Sequence, residues 1–286
     1  MSGNPIVKLF MGLWRLVELF GRFVRIVFTL LLVLLLLAVL SETTVTVPDS
    51  AALVLAPTGR LVEQLTGNPV DRALRSARGE ADDQTLVRHL VTALEKAAKD
   101  DRIKVAVLQL DRFAGGDMTK LRQVATALQA FRESGKPLIA VGESYGQTQY
   151  YLAAHADEIY MHPLGQVFFR GFGFYRTYFR SALDKISVDG NVFRTGTNKS
   201  MHDPYLRDGM SDEEKVEGRE FLDQLWLSYR QDIADARGLT PETIQQLGDD
   251  YLVKVTVAAG DEAAVARDAG LVDELWTATE ARERIM

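Results

Sequence analysis

A chain of 286 residues with 47% apolar and 25% charged side chains carries enough of both for one large or two small globular domains. Its formal net charge of −6 argues against a nucleic-acid binder, which usually shows a basic face. There is no cysteine, which excludes disulfides, thiolate chemistry and cysteine-ligated zinc, and His89, His155, His162 and His202 show no metal-ligand spacing, so neither a metal nor a cofactor is expected.

Residues 1–25 read as a basic amphipathic segment, with Lys8, Arg15, Arg22 and Arg25 set among Phe10, Trp14, Phe20 and Phe23. The charge-free run Ile26–Leu40 is nearly all leucine and valine, and a membrane anchor is expected over 26–41. As a helix that run spans about 22 Å at ~1.5 Å per residue, short of a ~30 Å hydrocarbon core, unless Arg22 and Arg25 snorkel and let the span begin earlier. A cleaved signal peptide is the rival, but Ala38-Val39-Leu40 offers no A-x-A site. With the positive charges before the span and Ser-Glu-Thr-Thr after it, the N-terminus is expected on the cytoplasmic side and the bulk of the chain outside.

Thr43–Pro57 reads as β, interrupted at Pro48, and Arg60–Asp83 as a loop with short helical pieces. The apolar stripe Leu86, Val87, Leu90, Val91 and Leu94 predicts a helix over Gln84–Asp100. Strands are expected at Ile103–Leu110, Pro137–Val141 and Glu158–Met161, with helices at Asp117–Glu133 and Gly146–Ala156 between them. Such alternation points to a layered α/β domain with βαβ units, here residues 42–286. Further on, Phe174–Lys185 reads as a helix and Val192–Thr195 as a strand. Ser211-Asp-Glu-Glu214 reads as a capping box opening a long helix that stops at Gly238, Thr240-Pro241 as a second helix start, and Asp261–Ala269 as a last helix before Gly270.

Three loops offer chemistry. Gly115-Gly116 lets backbone N–H groups approach a ligand, as an oxyanion hole requires, or simply makes a tight turn. Glu143–Tyr151 is a strand-to-helix corner with Ser144 and Thr148, hydroxyls that equally serve as caps. The third, Phe193–Tyr205, holds Lys199. A general-base lysine must be neutral, which takes a drop of ~3 units from about 10.4 by burial, and Asp203 nearby would oppose it.

The blocks LDRFAGGD (Leu110–Asp117), SGKPLIAVGESYGQTQYYLAAHADEIYMHPLG (Ser134–Gly165) and FRTGTNKSMHDPYLRDGMS (Phe193–Ser211) resemble signal peptide peptidase A, the long membrane-bound bacterial type of serine protease, in its N-terminal half. The resemblance implies a ClpP/crotonase-like α/β fold in two tandem domains, a bowl-shaped homo-oligomer, hydrophobic signal-peptide substrates, and a place in the bacterial inner membrane with the catalytic domain periplasmic. It implies a Ser-Lys dyad whose general base maps to Lys199, although Asn198 stands where the family has tyrosine. The serine belongs to the second domain, expected beyond Met286. In this domain Gln147 falls at the nucleophile position and Gly115 and Gly116 look like a relic of the oxyanion loop. Two readings therefore stand: a peptidase half supplying the base, or a catalytically incomplete scaffold that needs a serine-bearing partner. A third, in which Ser144 or Ser200 pairs with Lys199, is the weakest for Ser200, because neighbouring side chains in an extended loop point apart.

Overall fold

The computed structural model describes residues 5–40, 47–79, 83–193 and 200–285. The chain forms two compact units, Met1–Val47 and Pro48–Met286. The first is one continuous helix, α1 (Pro5–Leu40), so the basic segment and the apolar run are not separate elements. Its apolar span starts earlier than the charge-free run, covering Trp14–Leu36. Those 23 residues reach about 34 Å at ~1.5 Å each, long and apolar enough to cross a membrane. Polar groups inside the span turn back on the helix: Thr29 Oγ1 donates to the Arg25 carbonyl at 2.8 Å, and Trp14 Nε1 to Glu18 at 3.0 Å.

The second unit is built on a five-stranded parallel sheet in the order β1 (Ala51–Leu55), β4 (Ile103–Gln109), β6 (Leu138–Gly142), β8 (Glu158–Met161) and β10 (Glu274–Leu275). Central parallel strands are covered on both faces, which is why IKVAVLQ and LIAVG are near-continuous apolar runs. On β6, Leu138 and Ala140 are fully buried on one face, while Ile139 and Val141 alternate onto the other. Helix α3 (Val87–Lys99) buries Leu90 and Leu94, and α4 (Met118–Glu133) buries Leu121, Leu128 and Phe131, each such side chain stabilising the fold by roughly 1.5–3 kcal/mol. A terminal helix, α12 (Ala278–Ile285), packs Ala281 and Ile285 with Trp276 against Ile139 and Tyr160.

Two smaller parallel sheets flank the end of this core: β3 (Gln84–Leu86), β2 (Gly59–Val62) and β5 (Phe113–Gly115), and the pair β7 (Tyr145–Gly146) and β9 (Val167–Phe168). They correct several expectations. The stretch 60–83 holds the expected helical piece, α2 (Pro69–Ala77), capped by Asn68, but it opens on β2, a strand that was not expected. Gln84–Leu86 is strand, so the helix begins at Val87. Strand β10 and helix α12 also went unseen in the sequence.

After β9 the chain is irregular up to α6 (Arg180–Lys185), the only helical part of the expected helix Phe174–Lys185. Residues 191–193 are not strand, and 194–199 lie outside the described residues. A 3-10 turn (Ser200–His202) leads into the short α7 (Asp203–Leu206). The long α8 (Asp212–Arg237) begins and ends as expected: Ser211 Oγ accepts from Glu214 N at 3.1 Å, and Gly238 closes it at φ +65°. The reach-back half of the capping box is not made. The Glu214 carboxylate instead takes Arg176 and Tyr178. Helices α9 (Pro241–Asp249), α10 (Tyr251–Val257) and α11 (Glu262–Asp268) complete the unit.

Candidate active site

Gln147, the residue expected at the nucleophile position, opens the helix α5 (Gln147–Ala153) at the corner that follows β7. Its amide is bonded to backbone at both ends. Nε2 donates to the Gly171 carbonyl at 3.1 Å, and Oε1 accepts from Arg170 N at 2.9 Å. Its own carbonyl accepts from Tyr229 OH at 2.7 Å. Gln149 fastens the same corner to the neighbouring strand. Its Oε1 accepts from Gly146 N at 2.7 Å, and its Nε2 donates to the carbonyls of Leu110 (2.9 Å) and Phe113 (3.2 Å).

The glycine pair is brought to this corner. Gly115 has φ +101°, and a Cβ there would lie 2.7 Å from Thr148 Oγ1. At Gly116 a Cβ would come within 3.0 Å of Leu61 Cβ. Gly115 thus needs glycine for its backbone and its packing, and at Gly116 a side chain would press on Leu61, whatever chemistry the turn performs. Ser144 accepts from Gln166 N at 3.2 Å through its hydroxyl. With Gln147, Thr148, Phe168 and Arg170 it lines an open groove of about 390 Å³.

Beneath the groove lies an aromatic floor. Tyr145, Tyr150, Tyr151 and Tyr229 are all buried, and Tyr150 OH donates to the Leu271 carbonyl at 2.8 Å. Tyr151 OH donates to Asp232 at 2.7 Å. Burial pushes the Tyr150, Tyr151 and Tyr229 hydroxyls up, so at neutral pH they keep the protons that they donate. His155 is also buried. Loss of solvation lowers its pKa to about 4, so the ring is neutral, with Nδ1 3.3 Å from Gln129 Nε2.

Lys199 lies outside the described residues, as do Gly196 and Asn198. Four residues further along the chain, Asp203 is buried at 3% exposure and lies 3.6 Å from Arg207, so its carboxylate has a cation beside it. The structure brings Gly115, Gly116, Gln147, Thr148 and Ser144 together at one corner. Sequence reasoning missed Gln149 and Tyr229. The latter sits with Ile233 on the inward stripe of α8, a helical pattern that marks it as core but says nothing of a bond to residue 147. Among the described residues no group of three or more His, Asp or Glu side chains is placed to hold a metal ion.

Residues 130–286 match the family model for peptidase family S49. The chain belongs to this family. It is 34% identical over 238 residues to Protease 4 of Salmonella typhi, covering 82% of this chain and 38% of that protein. Protease 4 of Haemophilus influenzae is 36% identical over 188 residues, 66% of this chain and 31% of that protein. The chloroplastic serine protease SPPA of Arabidopsis thaliana is 24% identical over 208 residues, 70% of this chain and 30% of that protein. The chain therefore spans well under half the length of these relatives. The expected resemblance to signal peptide peptidase A holds, and so does the mixed α/β architecture with a parallel sheet. Among solved structures an enoyl-CoA hydratase/carnithine racemase from Magnetospirillum magneticum aligns with TM-score 0.36 at 13% identity, over 70% of this chain and 61% of that one. In this S49 chain the corner at Gln147 is a packed structural joint.

Proposed function

We propose that this chain is the base-supplying part of a membrane-anchored Ser-Lys peptidase that digests hydrophobic signal peptides. Membership of the S49 family supports a serine peptidase reaction. The observation that carries the division of labour is Gln147. A carboxamide has no nucleophilic oxygen or ionisable proton to offer, because its nitrogen lone pair is delocalised into the carbonyl, and here the side chain is bonded to backbone at Gly171 and Arg170. The serine is then supplied by a domain outside these 286 residues. Lys199, neutral at working pH, would take the proton from that serine as it attacks the scissile carbonyl and return it to the leaving amine. The apolar span Trp14–Leu36 would hold the chain in the bacterial inner membrane, the domain on the periplasmic side, and assembly into a ring would bring base and serine together.

Hydrolysis of a fluorogenic hydrophobic peptide tests this. The purified chain alone is expected to show no turnover. Mixed with a serine-bearing S49 domain it is expected to gain turnover, which Lys199→Ala lowers by about 10²–10⁴-fold, the usual worth of a general base. Turnover by the chain alone that disappears with Ser144→Ala would overturn the proposal. The same Gln147 geometry favours a second reading, a purely structural S49 domain. Unchanged turnover of the mixture on Lys199→Ala would establish it.

A further inference from the structure

Helix α2 has an apolar side that the domain does not use. Val70, Ala73, Leu74 and Ala77 follow the i, i+3, i+4, i+7 spacing, so they form one stripe, about 100° wide, along the helix. Yet no residue of α2 is buried, and Val70 is 70% and Leu74 49% exposed. Away from the stripe stand Arg72, Arg75 and the capping Arg78, with Asp71 as the one acidic residue of the helix.

The nine residues of α2 are fewer than the ~12–15 at which an isolated helix becomes even marginal in water. Its start is set by local chemistry. Asn68 Oδ1 accepts from Val70 N at 3.0 Å, Pro69 presets the first turn, and Arg72 Nη1 donates to the Gly67 carbonyl at 2.6 Å. None of these bonds covers the stripe. Among the described residues the Arg75 and Arg78 guanidiniums have no hydrogen-bond or carboxylate partner.

An apolar stripe beside unpaired guanidiniums suits the boundary of a bilayer. The stripe enters the edge of the acyl region, and the arginine stems lift their charge to the headgroups. The whole chain is at −6, so attraction to an anionic surface has to be local, and three arginines against one aspartate make α2 such a place. A groove on another protein would also take the stripe. A bilayer is favoured because the same chain carries the apolar span Trp14–Leu36, which keeps lipid at high effective concentration.

We propose that α2 is a second membrane contact, with Val70 and Leu74 in the acyl boundary and Arg75 and Arg78 on the phosphates of anionic lipid. The proposal rests on the reading of Trp14–Leu36 as a membrane span. It is tested on the full chain in phosphatidylcholine nanodiscs, with and without phosphatidylglycerol. The chain has no cysteine, so Leu74→Cys can carry a single fluorophore on the stripe and Ser76→Cys one off it. With phosphatidylglycerol, acrylamide quenching at position 74 is expected to fall about fivefold, while position 76 stays unchanged. The double change Arg75→Gln with Arg78→Gln should restore quenching at 74, as should salt at about 1 M, where the screening length is ~3 Å. In the unlabelled chain, amide exchange over residues 70–79 should slow about tenfold with phosphatidylglycerol, with β4 and β6 unchanged.

Equal quenching at 74 and 76 would overturn the proposal, as would shielding at 74 that ignores phosphatidylglycerol or survives loss of both arginines. Shielding that appears in detergent micelles and rises with protein concentration would assign the stripe to a second copy of the chain and overturn it too. A chain that fails to enter nanodiscs would overturn the span reading instead. Flotation with phosphatidylglycerol vesicles then decides α2 by itself: wild type is expected to float and the double arginine variant to be left behind, and equal flotation of the two would overturn the proposal.

Discussion

The corner at 144–151 and the strap formed by residues 174–193 and 201–208 are held by different forces. At the corner Tyr145, Tyr150 and Tyr151 are at most 1% exposed, and the Gln147 and Gln149 amides are spent on backbone. Along the strap Phe174, Tyr175, Phe193 and Met201 are 56%, 94%, 97% and 73% exposed, and in α7 only Asp203 and Pro204 are buried. The corner is thus fixed by the core and the strap by a few hydrogen bonds, such as those of Arg176 to Glu214 and to the Met201 carbonyl. If the proposed assignment of Gln147 holds, the position that lacks a nucleophile is the one fixed by the core. The stretch adjoining Lys199 depends on specific polar contacts, which is where a single substitution can change geometry without unfolding the domain.

The largest effect should come from emptying the corner. Tyr150→Ala removes a fully buried ring and its bond to Leu271, and should destabilise the chain by about 4 kcal/mol. Phe193→Ala, at an exposed strap position, should stay within about 0.5 kcal/mol. Urea unfolding of the two variants checks the contrast, and equal losses would break it.

Next is the pH response of the core beside the corner. The His155 pKa is lowered from 6.5 to about 4, chiefly by burial, with Asp232 opposing the shift and Arg132 adding to it. The unfolded chain then binds a proton that the folded chain refuses. The stabilisation is complete above about pH 6.5 and is lost as pH falls from there to about 4, up to ~3 kcal/mol. In a urea-unfolding series across that window, His155→Phe should flatten the slope that wild type shows. Identical slopes would mean that this ring is not what responds.

A smaller effect sharpens the meaning of Gln147. Gln147→Ser would install a hydroxyl at the nucleophile position but free Arg170 N and the Gly171 carbonyl. A loss of about 1–2 kcal/mol is expected, with no gain in peptide hydrolysis by the chain alone. Measurable hydrolysis would show that the corner needs only its serine back.

Much of this architecture was legible beforehand because its signals are long. The runs at 103–110 and 137–141 and the stripes of α3 and α4 carry enough residues for periodicity to speak, and Ser211, Gly238 and Thr240-Pro241 marked helix ends by local backbone chemistry. The expected helix at 174–185 failed because its first half is drawn into bonds with 201–214 that no local pattern encodes. The glycine pair, Ser144 and Thr148 were singled out from local composition and Gln147 by family resemblance, and the structure then set Gly115 against Thr148 and Gly116 against Leu61.

By itself the sequence determined the apolar span, the alternating α/β order, the absence of cysteine chemistry and the family, since each is written in contiguous stretches. Tertiary structure alone decided the two- to four-residue strands β2, β3, β5, β7, β9 and β10, the backbone bonds of Gln147, and the bonds that join Arg176 to Met201 and Glu214. Each of these is a pairing between residues well separated along the chain, and such a pairing has no energy until the fold brings its partners within hydrogen-bond reach.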